Sequence, residues 1–193
     1  MDQVLAISGS VRGDGNTALT LAQLRRALDL GNGQFVDLQS CRLEPFRYDP
    51  PPPDDDFLAI VDRLLAHRHI VFATPVYWYA MSGVMKTLFD RLTDLLSSPE
   101  ARCRGRALAG RDMWLLATGT DPDLPDGFTE PFARTAAYFD MHWRAAFYIR
   151  VPNHPLPADT VFPAVDQLAA ALREGRSAEG NASWPNDPAK PRS

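Results

Sequence analysis

The apolar positions change period repeatedly along the chain, and each change marks an element. Val4 to Ile7 is a short aliphatic run that stops at Ser8-Gly9-Ser10, the pattern of a strand buried on both faces and closed by a turn. From Asn16 to about Leu30, Leu19, Leu21, Leu24, Ala27 and Leu28 recur at helical spacing, with Gly31 as a stop. Gln34 to Leu38 suits a second strand. Arg42 to Pro53 then reads as an irregular surface loop, because its prolines cannot donate backbone hydrogen bonds. Asp54, Asp55 and Asp56 fit the first turn of a second helix, where carboxylates meet unpaired N–H groups, and Leu58, Val61, Leu64 and Leu65 give it a buried stripe. His69 to Thr74 is a third strand. A third helix from Ser82 to about Leu96 carries a broad apolar face of Val84, Met85, Leu88, Phe89, Leu92, Leu95 and Leu96. Strands at Asp112 to Ala117 and Trp143 to Val151 then alternate with helices at Phe128 to Asp140 and Val161 to Arg173. Such alternation implies a parallel sheet covered by helices on both faces.

After Gly175 the pattern fades into Ser, Asn, Gly and Pro with Trp184 as the only aromatic, so residues 1–175 read as one domain and 176–193 as a disordered tail. A chain of 193 residues with 45% hydrophobic residues can bury a sizeable core. The formal charge of −4 leaves no basic excess for a phosphate backbone, so no nucleic-acid partner is expected. No apolar run approaches the roughly 18 residues that span a bilayer, and the first residues lack a basic n-region, so a cytoplasmic protein without membrane contact is expected. Cys41 and Cys103 show neither C-x-x-C nor metal-ligand spacing and read as two reduced thiols.

In open α/β sheets, ligands sit beyond the carboxyl ends of the strands, where strand order reverses. The first strand runs into Gly9-Ser10-Val11-Arg12-Gly13-Asp14-Gly15-Asn16-Thr17, a loop of glycines, short polar side chains and one guanidinium that leads into a helix N-terminus. Its chemistry suits a phosphate. Glycines free backbone N–H groups, Ser10, Asn16 and Thr17 can donate to phosphate oxygens, and Arg12 supplies charge. Gly13-x-Gly15-x-x-Ala18 also satisfies the dinucleotide fingerprint, and Asp37 stands about where a ribose-binding acid belongs. In a dinucleotide turn the first glycine follows the strand closely, whereas here Ser8 to Arg12 intervene, so a longer phosphate loop is the better reading.

The third strand ends in Thr74-Pro75-Val76-Tyr77-Trp78-Tyr79, three aromatics in a row at the mouth of the same region. A planar ligand would stack there, and free N–H groups of residues 76 to 78 could bond a heteroaromatic edge. A sheet cap or a subunit contact is the plainer use of such rings. The turn Ala117-Thr118-Gly119-Thr120-Asp121 after the fourth strand is small enough to let a flat ring lie against the backbone.

Together, GSVRGDGNT at residues 9 to 17 and TPVYWYAMSGVMKTLFDR at 74 to 91 resemble the flavodoxin-like NAD(P)H-dependent FMN reductases and quinone reductases. The resemblance implies a flavodoxin-like three-layer sandwich whose five-stranded parallel sheet has the order 2-1-3-4-5. It implies bound FMN, with Ser10, Arg12, Asn16 and Thr17 on the phosphate, Pro75, Val76, Tyr77 and Trp78 lining the isoalloxazine, and Thr118 and Gly119 completing the pocket. It further implies a ping-pong cycle from NADPH or NADH through FMN to a small-molecule electron acceptor such as a quinone, azo compound or flavin, in a homodimer formed through the third helix. The flavin carries the chemistry, so no catalytic side chain is required, and Tyr77 is the one proton-donor candidate. Asp14 departs from the family loop, where a serine is common, and a carboxylate beside a dianion helps only if it points outward.

His67, His69, His142 and His154 lack ligand spacing, so no metal is expected. Lys86, Asp90 and Arg91 match the family pattern yet suit a solvated helix face or local ion pairs. Pro50 to Asp56 reads as a solvated loop, with a lid over the cofactor as the alternative. A flavodoxin-type electron carrier and a non-catalytic interaction protein of the same fold are the competing functions. Carriers are usually more acidic than −4.

Overall fold

In the computed structural model, residues 3–49, 54–151, 157 and 160–175 are described. The expected tail, His154 and the prolines of the suggested lid lie outside the described residues. Five parallel strands, β1 (Val4–Ser8), β2 (Phe35–Asp37), β3 (His69–Pro75), β4 (Asp112–Gly119) and β5 (His142–Arg150), form one sheet in the order β2-β1-β3-β4-β5. This is the doubly wound, flavodoxin-like arrangement. Because strand side chains alternate, Leu5 and Ile7 join one core and Val4 and Ala6 the other.

The helices divide between the two faces. α1 (Asn16–Leu28) and α6 (Pro163–Glu174) cover one with Leu21, Leu24, Leu28, Val165, Leu168 and Leu172. α2 (Phe57–Ala66), α3 (Gly83–Arg91) and α5 (Glu130–Tyr138) cover the other with Phe57, Ile60, Leu64, Met85, Leu88 and Phe132. Each large apolar side chain so buried contributes roughly 1.5–3 kcal/mol.

Several expected boundaries shift. α1 ends at Leu28 because Asp29, not Gly31, adopts the left-handed conformation, with φ 52°. The stripe of α2 is Phe57, Ile60, Val61 and Leu64, and Leu58 faces outward. α3 stops at Arg91 and Leu92–Leu96 continues as a 3-10 helix, where the tighter turn brings Arg91 Nε to Asp94 Oδ2 at 2.6 Å. An unexpected helix, α4 (Pro99–Arg106), follows. It has almost no apolar face to betray it, but Ser98 accepts from Ala101 N at 3.1 Å and Pro99 occupies the first turn.

Arg91 also departs from expectation. Rather than lying on a solvated face, it is 1% exposed, pairs with Asp55 and donates to the Glu44 carbonyl at 2.9 Å, while its guanidinium lies 4.7 Å from the Phe57 ring centre. Asp55 Oδ2 accepts from Glu44 N at 2.9 Å, and Asp56 Oδ2 accepts from Arg42 N at 2.7 Å, so the ends of the 42–56 loop are clamped together against α3. Lys86 and Asp90 do form the local pair, at 2.5 Å.

At the amino-terminal edge of the sheet, His69 and His142 flank the buried Asp112 carboxylate together with Arg68 and Arg144. Burial pushes the His69 imidazole down despite Asp112. Among the described residues, no cluster of three or more His, Cys, Asp or Glu side chains could hold a metal, and no helix is long and apolar enough to cross a membrane.

Candidate functional site

The switch in strand order falls between β1 and β3, and the loops leaving β1, β3 and β4 meet above it. Gly9 N donates to Ala73 O at 2.7 Å, carrying the β1–β3 pairing one residue past the strand. Ser82 then ties the two loops together: its Oγ donates to Gly9 O at 2.6 Å and accepts from Met85 N at 3.4 Å, capping α3. A Cβ on Gly9 would stand 2.9 Å from Met85 Cε and 3.0 Å from Ser82 Oγ, which explains glycine at this close approach.

Between these loops lies a cleft of about 160 Å3. It brings together every candidate residue except Trp78: Ser10, Arg12, Asn16 and Thr17 at one end, Pro75, Val76 and Tyr77 on one wall, Thr118 and Gly119 on the other. Gly15, Thr120 and Val151 line it as well and were not anticipated. Thr120 sat in the turn already singled out, whereas Val151 enters only because β5 ends beside β4, which no local motif records.

The donors at the phosphate end differ from those expected. Ser10 Oγ donates to Arg12 O at 2.8 Å and so spends its single proton on closing the loop. The hydroxyls of Thr17 and Thr118 share one hydrogen bond of 2.6 Å, which leaves one proton between them for the cleft. Arg12 pairs with Asp14 at 3.2 Å, both exposed, so Asp14 does point outward but draws part of the guanidinium charge with it. What remains is the start of α1. Gly15 provides no side-chain cap, so the first-turn N–H groups and the positive end of the dipole meet the cleft directly. Beside them, Asn16 Oδ1 is buried without a hydrogen-bond partner. Turned about its last torsion, that amide presents its NH2 group at the same place, as an anion requires. These residues fit a phosphate.

The flat end is also modified. Val76 N donates to Thr118 O at 2.7 Å and Tyr77 N to Ala80 O at 2.9 Å, so these two N–H groups are not free for a ring edge as the sequence suggested. Sheet pairing and a tight turn consume them. In that turn Trp78 and Tyr79 take φ of 50° and 64°, left-handed conformations that side chains seldom adopt. The result leaves Trp78, 93% exposed, and Tyr79, 66% exposed, outside the cleft, while Tyr77, which lines it, is 45% exposed. Behind the opposite wall, a Cβ on Gly119 would stand 2.8 Å from the Tyr148 hydroxyl and 3.3 Å from Val76 Cβ, so the backbone there is closely packed. Burial and Asp121 push the Tyr148 phenol up, and its hydroxyl donates to Asp121 O at 2.8 Å.

The sequence model of a family described as NADPH-dependent FMN reductase matches residues 3–123. Over 129 residues the chain is 27% identical to YwqN of Bacillus subtilis (strain 168), described as an NAD(P)H-dependent FMN-containing oxidoreductase; the match covers 62% of this chain and 67% of YwqN. Among solved structures, the Trp repressor binding protein from Bacillus subtilis superposes with a TM-score of 0.66 at 22% identity, covering 88% of this chain and 97% of that one. General stress protein 14 from Treponema denticola, in complex with FMN, superposes with a TM-score of 0.55 at 18% identity, covering 89% and 94%. At these identities the superpositions show the fold.

Proposed function

The chain belongs to the NADPH-dependent FMN reductase family, and from that premise we propose that its cleft holds FMN and passes reducing equivalents from NAD(P)H to a quinone or a similar flat acceptor. It is an enzyme, an NAD(P)H-dependent FMN oxidoreductase acting on small molecules. Bound FMN supplies the hydride and electron chemistry that side chains lack.

The chain's own residues bind, orient and shield. First-turn N–H groups of α1, the Asn16 amide and the remaining Thr17–Thr118 proton take the phosphate, with Arg12 adding charge from the loop tip. Pro75, Val76 and Tyr77 would form one wall for the ring system and Gly119 the other, each held by backbone hydrogen bonds to neighbouring segments. Trp78 and Tyr79 extend the aromatic surface outward, where a flat acceptor or nicotinamide would stack. Tyr77 at the rim is placed to hold a proton for the acceptor. We also propose a homodimer formed through α3 and the residues that follow it, where Leu96 lies beside the exposed Tyr138, and a cytoplasmic location that suits the free thiols Cys41 and Cys103.

The observation that carries this reading is the buried, unpartnered Asn16 oxygen beside an uncapped helix N-terminus, in one cleft with the Pro75–Tyr77 wall. The visible spectrum of the protein with added FMN, before and after anaerobic NADPH and then NADH, tests it. Perturbed flavin bands that bleach with either nucleotide are expected. Bands that bleach with neither would favour an electron carrier, and failure to bind FMN would remove the reading.

A further inference from the structure

The glycine loop has a second cleft on its other side. Between the loop, α1 and β2 lies a space of about 240 Å3 whose walls include Gly13, Arg25, Phe35 and Asp37. Ser10 and Arg12 line this space and the first cleft alike, so the loop stands between the two. The Gly13-x-Gly15-x-x-Ala18 spacing, with an acid downstream, acquires a spatial meaning here. Ser8 and Asp37 are register partners at the carboxyl ends of β1 and β2, so Asp37 stands beside the glycine loop, where a dinucleotide-binding sheet holds the ribose hydroxyls.

The chemistry of the walls suits a ligand with hydroxyls at one point and phosphate at another. Among the described residues the Asp37 carboxylate accepts from Gln39 N at 3.2 Å and Ser40 Oγ at 3.5 Å. A carboxylate has about four acceptor sites, so capacity remains. Arg25 lies 4.3 Å from the Phe35 ring centre and donates to Asn32 Oδ1 at 3.2 Å, which fixes its planar guanidinium at the wall. Gly13 leaves open space where a Cβ would stand. Neither Asp37 nor Arg25 touches the first cleft.

Resting on the reading that the first cleft holds FMN, we propose that the second takes the adenosine diphosphate end of a dinucleotide. The ribose hydroxyls donate to Asp37, the base stacks on the Arg25 guanidinium, and the phosphates lie along the glycine loop beside the Arg12 guanidinium. Two molecules present that end: FAD, whose diphosphate would run across the loop from the flavin, and NAD(P)H.

Calorimetric titration of FMN, FAD and 5′-ADP into the apoprotein, and of 5′-ADP into the FMN-loaded protein, tests this for the parent chain, Asp37→Asn and Arg25→Ala. FMN affinity should be equal in all three, and each substitution should weaken the adenosine ligand about tenfold, the scale of one hydrogen bond to a charged group for Asp37 and of a desolvated cation stacked on a ring for Arg25. 5′-ADP binding to the FMN-loaded protein, weakened by both substitutions, identifies the adenosine of NAD(P)H. FAD binding tighter than FMN by a margin that the substitutions abolish, with 5′-ADP excluded by FMN, identifies the adenosine of FAD. Should 5′-ADP bind neither form while FAD binds no tighter than FMN, or should the substitutions change neither ligand, the proposal is overturned. FMN failing to bind while 5′-ADP binds the apoprotein and the substitutions weaken it would overturn the flavin reading and leave this cleft standing. Asp37→Asn retains the acceptor for Gln39 N, and Arg25→Ala provides an independent variant should it not fold.

Discussion

The hydroxyls of Thr17 and Thr118 lie 2.6 Å apart in the buried floor of the cleft, joining the first turn of α1 to the end of β4 across 101 positions of sequence. Thr118→Val keeps the shape and removes one partner, leaving the Thr17 hydroxyl buried without a bond, which costs about 1–3 kcal/mol. Replacing both threonines by valine removes the unsatisfied group as well, so urea denaturation should show the double variant recovering most of that loss. FMN affinity should not recover, because the hydroxyl proton left over for the cleft is gone. A double variant as unstable as the sum of the single ones would mean that the pair does not act as a unit.

The Arg91–Asp55 pair should be the most stability-critical contact of the 42–56 loop, since both side chains are 1% exposed. Removing either partner strands a buried charge, and Arg91→Met or Asp55→Asn should each cost about 3–5 kcal/mol. Burial acts to raise the Asp55 carboxyl, but the hydrogen bonds from Arg91 and from the Glu44 and Phe57 N–H groups outweigh it and hold the group below its ordinary range. A depressed folded value contributes stability that is fully present above the unfolded value of about 3.9 and is lost as pH falls through the folded one. Urea midpoints measured downward from about pH 6 should therefore fall more steeply in the parent chain than in Asp55→Asn below about pH 4. Parallel curves would show that Asp55 does not titrate as the geometry requires.

The alternation of strands and helices was legible because each strand is a compact aliphatic run and each covering helix carries its own stripe, as Val4–Ser8 and Asn16–Leu28 show. Both halves of the cleft were legible for a similar reason, since loops leaving adjacent parallel strands must meet at the switch point. What could not be read was how hydrogen bonds are spent. The proton of Ser10 goes to its own loop and the N–H groups of Val76 and Tyr77 to Thr118 and Ala80, partners fixed only by the folded chain. Arg91 misled for a related reason. On the helix pattern it belongs to the polar face, and only the return of the 42–56 loop, carrying Asp55, buries it.

Gly9 and Gly13 should respond oppositely to alanine. At Gly9 the new Cβ would stand 3.0 Å from Met85 Cβ and from Ser82 Oγ, neither at the far end of a flexible chain, so Gly9→Ala should cost about 1–3 kcal/mol and weaken FMN by shifting the loop. At Gly13 nothing lies within 4 Å, and Gly13→Ala should be neutral or stabilising by about 0.4–1 kcal/mol through the unfolded chain. Thermal unfolding of the two variants side by side checks this. Equal losses would show that loop flexibility, not the approach to α3, demands glycine.

Trp78 and Tyr79 hold the least comfortable backbone at the site, with φ of 50° and 64° in a turn closed by Tyr77 N to Ala80 O at 2.9 Å. A left-handed conformation costs about 1–2 kcal/mol for a residue with a Cβ and nothing for glycine. Trp78, at 93% exposed, forfeits almost no packing on removal. Trp78→Gly should therefore relieve the strain, less about 0.4–1 kcal/mol for the freer unfolded chain, for a net gain of up to about 1 kcal/mol and a rise in Tm of about 2–4 °C. Stability gained in this way should cost function. Without the indole, kcat/KM for a quinone should fall while FMN affinity holds, because Trp78 stands outside the cleft that Pro75, Val76 and Tyr77 line. A variant that is both less stable and increasingly so on dilution would mean that the indole is buried against a second copy of the chain, and the turn would then serve assembly rather than the acceptor.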